Sequence, residues 1–226
     1  MGLLLGIDDA GRGPVLGPMV LAGVLIKKQD EKELKEWGAK DSKQVKKEKR
    51  EEIAEKIKKK FSFASEIIHA HEIDTKTNNG INLNRIEAIA AARIVNELAE
   101  KTENSEIIEV YIDCPSPNCE NWKAVVERYI KAEIKKRIKI HAEHKADVNH
   151  VVCSGASIIA KTTRDSEIEK IKKDLGCDFG SGYASDELTM QFVRDNFSIL
   201  KEKKLIRECW DTCKQIKKEK EQKKLF

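Results

Sequence analysis

Leu3-Leu4-Leu5-Gly6-Ile7 is an uncharged apolar run that delivers two adjacent carboxylates, Asp8 and Asp9, into a turn crowded with glycine and proline, Ala10 to Pro18. Successive side chains on a strand face opposite ways. Asp8 and Asp9 are therefore expected to serve one site only if the strand breaks between them, which Ala10-Gly11 permits. Gly11, Gly13 and Gly17 allow close backbone approach to a ligand, and Arg12 offers a forked cation suited to phosphate. The plain alternative is an ordinary strand followed by a surface turn. A nucleotide-binding P-loop is not expected, because no Gly-Lys-Ser/Thr closes the turn.

The 226 residues suffice for one domain with a proper core. Charged residues make up 36% and the formal net charge is +4, a mild excess of positive charge compatible with nucleic acid but not diagnostic of it. No apolar run approaches the roughly 20 residues a membrane span needs, and no basic-then-apolar leader is seen, so a cytoplasmic protein without membrane contact is expected. The six cysteines contain no Cys-x-x-Cys pair, and the five histidines are not spaced to complete a zinc site. Buried or incidental thiols are the expectation, with an intracellular disulfide as the alternative for a hot-environment source.

Met19 to Ile26 reads as a second strand, pairing antiparallel with the first. A short helix ending near Gly38, the segment Asp41-Ser42-Lys43 and a lysine-dense helix to Lys60 follow. Phe61 to Ala70 reads as a third strand and Thr77 to Gly80 as a turn. Leu83, Ile86, Ala90, Ile94 and Leu98 recur at helical spacing. A fourth strand, Ile107 to Ile112, ends at Asp113 before Pro115 and Pro117. A helix from about Asn121 to Ile134 and a fifth strand, Ile138 to Ala142, lead to His144-Lys145-Ala146-Asp147. Helices are then expected over Ser157 to Leu175, from Ser185, and from about Ile206 into a lysine-rich tail. With no repeat and no linker, a single domain over 1–226 is expected, with a core to about 176 and helical additions over 177–226.

Three strands thus end in acids: Asp8 with Asp9, Asp113, and Asp147 just beyond the fifth. Ligands of open α/β sheets collect at the carboxyl ends of strands. If strands one, four and five are parallel neighbours, four carboxylates meet and repel one another. A divalent cation resolves this, and an all-oxygen donor set favours magnesium or manganese. Each aspartate taken singly is equally well a helix cap or a turn former.

At this point the residues resemble those of a known family. The element order is similar to the ribonuclease H fold, a five-stranded mixed sheet flanked by helices, here with a C-terminal helical extension. Gly6-Ile7-Asp8-Asp9-Ala10-Gly11-Arg12-Gly13-Pro14 resembles the opening motif of type 2 ribonucleases H (ribonuclease HII), archaeal branch. Asp41-Ser42-Lys43, His144 to Asp147, Ser154 to Lys161, Arg164-Asp165 and Gly180-Ser181-Gly182-Tyr183 resemble further blocks in the same order. The resemblance implies an endonuclease, dependent on magnesium or manganese, acting on RNA–DNA hybrids and on single ribonucleotides embedded in duplex DNA. It implies that Asp8, Asp9, Asp113 and Asp147 hold two metal ions, that Gly11-Arg12-Gly13 tracks the backbone at the ribonucleotide, and that Tyr183 contacts the ribose carrying the 2′-hydroxyl. Lys43, Lys145, Lys161, Ser154 and Ser157 would contact phosphates. Aspartate stands at position 9 where the family has glutamate, and Ala184 replaces the usual proline after the tyrosine.

The rivals are another nuclease of the same general fold and a catalytically weakened hybrid-binding protein. The former lacks reason to carry Gly-Arg-Gly and Gly-Ser-Gly-Tyr; the latter would be expected to lose charge from the site. Gln222-Lys223-Lys224-Leu225-Phe226 resembles a shortened peptide of the kind that docks replication enzymes onto a sliding clamp. A monomer is expected.

Overall fold

The computed structural model describes residues 2–39 and 45–222. Five strands, β1 (Leu3–Ala10), β2 (Met19–Lys27), β3 (Ser62–Ile68), β4 (Ile108–Asp113) and β5 (Ile138–Glu143), form one mixed sheet in the order β3-β2-β1-β4-β5. β1 is antiparallel to β2 and parallel to β4, and β4 is parallel to β5. Burial explains the patterns. The central β1 is enclosed over nearly its whole length, which requires a continuous apolar run. On β4, Ile108, Val110 and Ile112 are buried while Glu109, Tyr111 and Asp113 alternate on the more open face. Because β1 and β4 run the same way, both deliver their terminal acids to one edge of the sheet.

The helices are α1 (Glu31–Glu36), α2 (Lys47–Lys60), α3 (Ala70–Asn78), α4 (Leu83–Glu100), α5 (Cys119–Arg128), α6 (Ala132–Lys135), α7 (Ala146–Asn149), α8 (Val151–Leu175), α9 (Glu187–Glu202) and α10 (Asp211–Gln222). Two glycines set how closely helices lie on the sheet. A Cβ at Gly23 on β2 would meet Ile94 and Leu98 of α4. A Cβ at Gly6 would overlap the backbone of Val152 and Cys153, so the first turn of α8 lies directly on β1.

Several boundaries differ from expectation. The third strand is shorter at both ends, and α3 occupies residues assigned to its end and to the following turn; the Glu72 carboxylate accepts from the His69 N–H at 2.9 Å, starting that helix. The helix expected over Asn121 to Ile134 is two, because α5 ends at Arg128. The long helix begins at Val151, six residues before Ser157, despite Gly155 in its first turns. Packing outweighs propensity there: a Cβ at Gly155 would stand 3.2 Å from Leu34, so the bare backbone lets α1 and α2 approach. The last helix starts at Asp211 rather than near Ile206.

The chain divides into two compact units that interleave in sequence. One comprises Met1–Ala10, Val20–Glu66 and Asn84–Thr163 and holds nearly all of the sheet. The other comprises Gly11–Met19, Ile67–Leu83 and Arg164–Phe226, with a core of Val15, Leu16, Ile168, Phe179, Phe197 and Leu200 among others. All six cysteines are free thiols. Burial pushes the Cys114, Cys209 and Cys213 thiols up to about 12. No helix among the described residues is long and apolar enough to cross a membrane.

Candidate active site

Asp8, Asp9 and Asp113 line one narrow pocket, together with Leu21, Glu87, Pro115 and Trp122. The expected break in the strand does not occur: β1 stays paired with β2 through Asp8, Asp9 and Ala10. Instead the pairing with β4 stops at Ile7, opening that side of β1. There the Asp8 side chain curls back, and its Oδ1 accepts from the Asp9 N–H at 2.8 Å. An open strand edge therefore does what a broken strand was expected to do.

Asp147 is not among the residues lining that pocket, although the chain beside it is bonded to the end of β4. The Ala146 N–H donates to Asp113 Oδ1 at 2.9 Å, tying α7 to the end of β4. Asp147, next in the chain, is only 4% exposed. The chain passes from β5 into α7 through Lys145, held in the left-handed region at φ 60° with its side chain exposed.

Burial first, then the charges of Asp9 and Asp113, push the Asp8 carboxyl up to about 8. A hydrogen bond from Ser157 opposes that rise. Ser157 is fully buried and in turn accepts from Lys161 Nζ at 2.9 Å. Ser154 and Ser157, the expected phosphate contacts, both have completely buried side chains. Ser157 lies against Asp8 because Gly6 lets α8 down onto β1. Lys161, its second partner, is partly buried.

Glu87 was not picked out from the sequence. It is 1% exposed on α4, between Ile86 and Ala88, and nothing in that apolar helical pattern marks it as facing the acids. Among the described residues no three His, Cys, Asp or Glu side chains close around a single point. The donors are nonetheless all hard oxygens, and the electrostatic strain on Asp8 is the kind a divalent cation relieves, so the residues suit magnesium or manganese.

The second unit assembles the other sequence-predicted residues. The carbonyl of Gly182 accepts from the N–H groups of Val15 (2.9 Å) and Leu16 (3.2 Å), seating the Tyr183 turn on the segment that follows Gly11-Arg12-Gly13. Gly182 sits at φ 84°, and a Cβ there would lie 2.6 Å from the Leu16 carbonyl oxygen, so only glycine fits. The guanidinium of Arg164 lies 5.0 Å from the Tyr183 ring centre, and its Nη2 donates to the Ser181 carbonyl at 3.0 Å. Asp186 fixes the turn from the other side, accepting from the Ser181 N–H and hydroxyl, both at 2.7 Å, and capping α9 through Leu188 N. Those two bonds from Ser181 hold its carboxyl at about 2. The turn is thereby pinned although Ala184 stands after the tyrosine. Tyr183 itself is 37% exposed. Lys43, and all of the Gln222–Phe226 peptide but Gln222, lie outside the described residues.

The family model described as ribonuclease HII matches residues 5–213. A ribonuclease HII of Methanocaldococcus jannaschii is 44% identical over 231 residues, covering 99% of this chain and 99% of that one. Among solved structures, the ribonuclease H2 of Pyrococcus horikoshii OT3 superposes with a TM-score of 0.81 at 30% identity, over 96% of this chain and 98% of that one. The Archaeoglobus fulgidus ribonuclease HII, solved as a PCNA complex, gives 0.79 at 35% identity over 92% and 95%.

Proposed function

Because the chain belongs to the ribonuclease HII family, and is thereby a ribonuclease H endonuclease, we propose that it cuts both RNA–DNA hybrids and single ribonucleotides embedded in duplex DNA. The cut falls on the 5′ side of the ribonucleotide and leaves a 3′-hydroxyl and a 5′-phosphate. The observation that carries this reading is the convergence of Asp8, Asp9 and Asp113 on one pocket, with Ala146, the neighbour of Asp147, bonded through its N–H to Asp113.

Asp8, Asp9, Asp113 and Asp147 would hold magnesium or manganese. Two such ions, when bound, stabilise charge on the attacking and leaving oxygens of a phosphodiester. The chain's own groups prepare the site. Ser157, itself bonded to Lys161, favours the charged form of Asp8, while Ala146 N–H holds one Asp113 oxygen and so orients the carboxylate. Lys145 and Lys161 supply positive charge that positions a duplex without seeing its sugar. The 2′-hydroxyl is the chemical difference between RNA and DNA, and Gly11-Arg12-Gly13 with Tyr183 are the groups we assign to it.

The deciding assay is cleavage of a DNA duplex carrying one ribonucleotide, with magnesium, with manganese and with chelator. Metal-dependent cutting 5′ to the ribonucleotide is expected. Cutting that ignores the ribonucleotide, or that survives chelation, would overturn the reading.

A sliding-clamp contact through Gln222–Phe226 is proposed beside it, supported by the clamp complex of the Archaeoglobus fulgidus relative. Deleting the last five residues should leave unassisted cleavage unchanged and abolish stimulation by a clamp. A truncated chain that still binds the clamp as tightly as the full chain would refute it.

A further inference from the structure

Arg207 is among the largest side chains in the molecule to be completely buried. Among the described residues its donors go to backbone carbonyls. Nη2 donates to Gly11 O at 2.6 Å, Nη1 to Arg12 O at 2.7 Å, and Nε and Nη2 to Gly17 O at 3.3 and 3.2 Å. Its guanidinium stacks 5.0 Å from the Trp210 ring, and Trp210 Nε1 donates to Gly13 O at 3.3 Å. Three successive carbonyls of the Gly-Arg-Gly turn are therefore drawn inward onto one buried cation and its indole.

Peptide planarity turns that into a statement about the other face. In a trans peptide the C=O and the following N–H point in opposite directions. With the Gly11 and Arg12 carbonyls held inward, the N–H groups of Arg12 and Gly13 are directed outward, and Pro14 contributes none. Gly13 is exposed, and a Cβ built on it would meet only the Tyr183 ring edge, at 3.9 Å. Two adjacent amide donors thus emerge beside the tyrosine, backed by a buried positive charge. Burial and then the like charge of Arg164 lower the Arg207 pKa to about 10, which leaves it cationic at neutral pH.

We infer that Arg207 is the positioning residue of ribose recognition: it sets the peptide planes of Gly11-Arg12-Gly13 so that two N–H donors face the 2′-oxygen of the ribonucleotide. This rests on the proposed reading that the turn touches ribose. Lysine cannot replace it, because one ammonium cannot span three carbonyls in a plane. Nothing local marks it in the sequence, since Arg207 is one of 43 lysines and arginines in the chain and stands in a lysine-rich stretch.

The test is Arg207→Lys, measured for melting temperature, for binding to all-DNA duplex, and for kcat and KM on the single-ribonucleotide duplex. The expected result is a folded protein that binds plain DNA within twofold of wild type while kcat/KM falls at least about tenfold, the worth of one hydrogen bond to a charged group. Adding guanidinium ion at low millimolar concentration to Arg207→Ala should restore part of the lost cleavage. If Arg207→Lys does not fold, Trp210→Phe releases the Gly13 carbonyl alone and should show the same split. Wild-type kcat/KM in a folded Arg207→Lys, or a loss of plain-DNA binding in proportion to the loss of cleavage, would overturn the assignment. A wild-type enzyme that ignored the ribonucleotide would instead refute the proposed function, so the two failures are told apart.

Discussion

The guanidinium of Arg164 lies beneath the ring of Tyr183 and, through Nη2, holds the carbonyl of Ser181 two residues earlier in the same turn. One cation therefore fixes both the ring and the backbone that carries it. A desolvated cation–π contact is worth about 0.5–2 kcal/mol, and the hydrogen bond adds a comparable amount. Arg164→Met should lower cleavage of a single-ribonucleotide duplex by roughly tenfold or more on that basis. Tyr183→Phe should lower it moderately and Tyr183→Ala much more. If Arg164 acts through the tyrosine, the double variant Arg164→Met/Tyr183→Ala should be no worse than Tyr183→Ala alone. Additive losses in that cycle would show that Arg164 acts elsewhere.

Asp8→Asn should abolish cleavage and stabilise the metal-free protein in a pH-dependent way. The folded-state carboxyl is raised from 3.8 to about 8, chiefly by burial. The protonated form is the one the fold favours, so its contribution is complete below 3.8 and is lost as pH rises through about 8. The neutral amide escapes that loss. Melting curves without divalent ions should therefore separate the variant from wild type by an amount on the order of a few kcal/mol at pH 8–9, and hardly at all at pH 4. Divalent metal should raise the melting temperature of wild type more than that of the variant. Equal melting temperatures at high pH would count against the burial of charge on Asp8.

Ser157→Ala removes a hydrogen bond that favours the charged form of Asp8 and the partner of Lys161. The Asp8 carboxyl should then rise further, and the acid limb of the pH–rate profile should move to higher pH with a fall in kcat. Ser157→Thr keeps the hydroxyl and serves as the conservative control. An unmoved acid limb in Ser157→Ala would show that the bond does not tune the site.

Gly6→Ala places a methyl group against the backbone of Val152 and Cys153, where no flexible side chain can yield. Overpacking of this kind costs about 1–3 kcal/mol, and the absence of a yielding partner puts the expected loss at or above the upper end. Forcing α8 off β1 also separates Ser157 from Asp8, so activity should fall in the fraction that remains folded. Thermal unfolding and a single-turnover assay on the same sample would check both effects. An unchanged melting temperature would contradict the close approach.

Legibility from sequence followed the strength of the local signal. The sheet could be read because β1 and β2 are nearly continuous apolar runs and β4 and β5 alternate apolar with polar residues, and the four acids stood out because each ends or follows one of these strands. The unbroken β1 was not foreseen, since whether Asp8 and Asp9 share a site depends on where β4 stops pairing, a non-local fact. The start of α8 at Val151 was hidden by Gly155, whose local cost is outweighed by close packing of Leu34 and Ile57. Glu87 and Arg207 are single residues without periodic or motif context, and Arg164, though part of a family-like block, shows nothing in sequence of its place under Tyr183. Their partners lie far away in sequence, as with Arg207 and the Gly11 carbonyl 196 positions apart.

The burial that raises Cys114, Cys209 and Cys213 to about 12 has a practical consequence for handling in air. Oxidation and alkylation proceed through the thiolate, and at neutral pH a thiol of that acidity is ionised to only about one part in 100,000. Cys153, completely buried against the Tyr111 carbonyl, is suppressed in the same way. Four of the six cysteines are thus expected to react slowly while the chain is folded. A maleimide dye added to native protein should label at most the half-exposed Cys119 and Cys177 at speed, and fast reaction of the other four would report local opening.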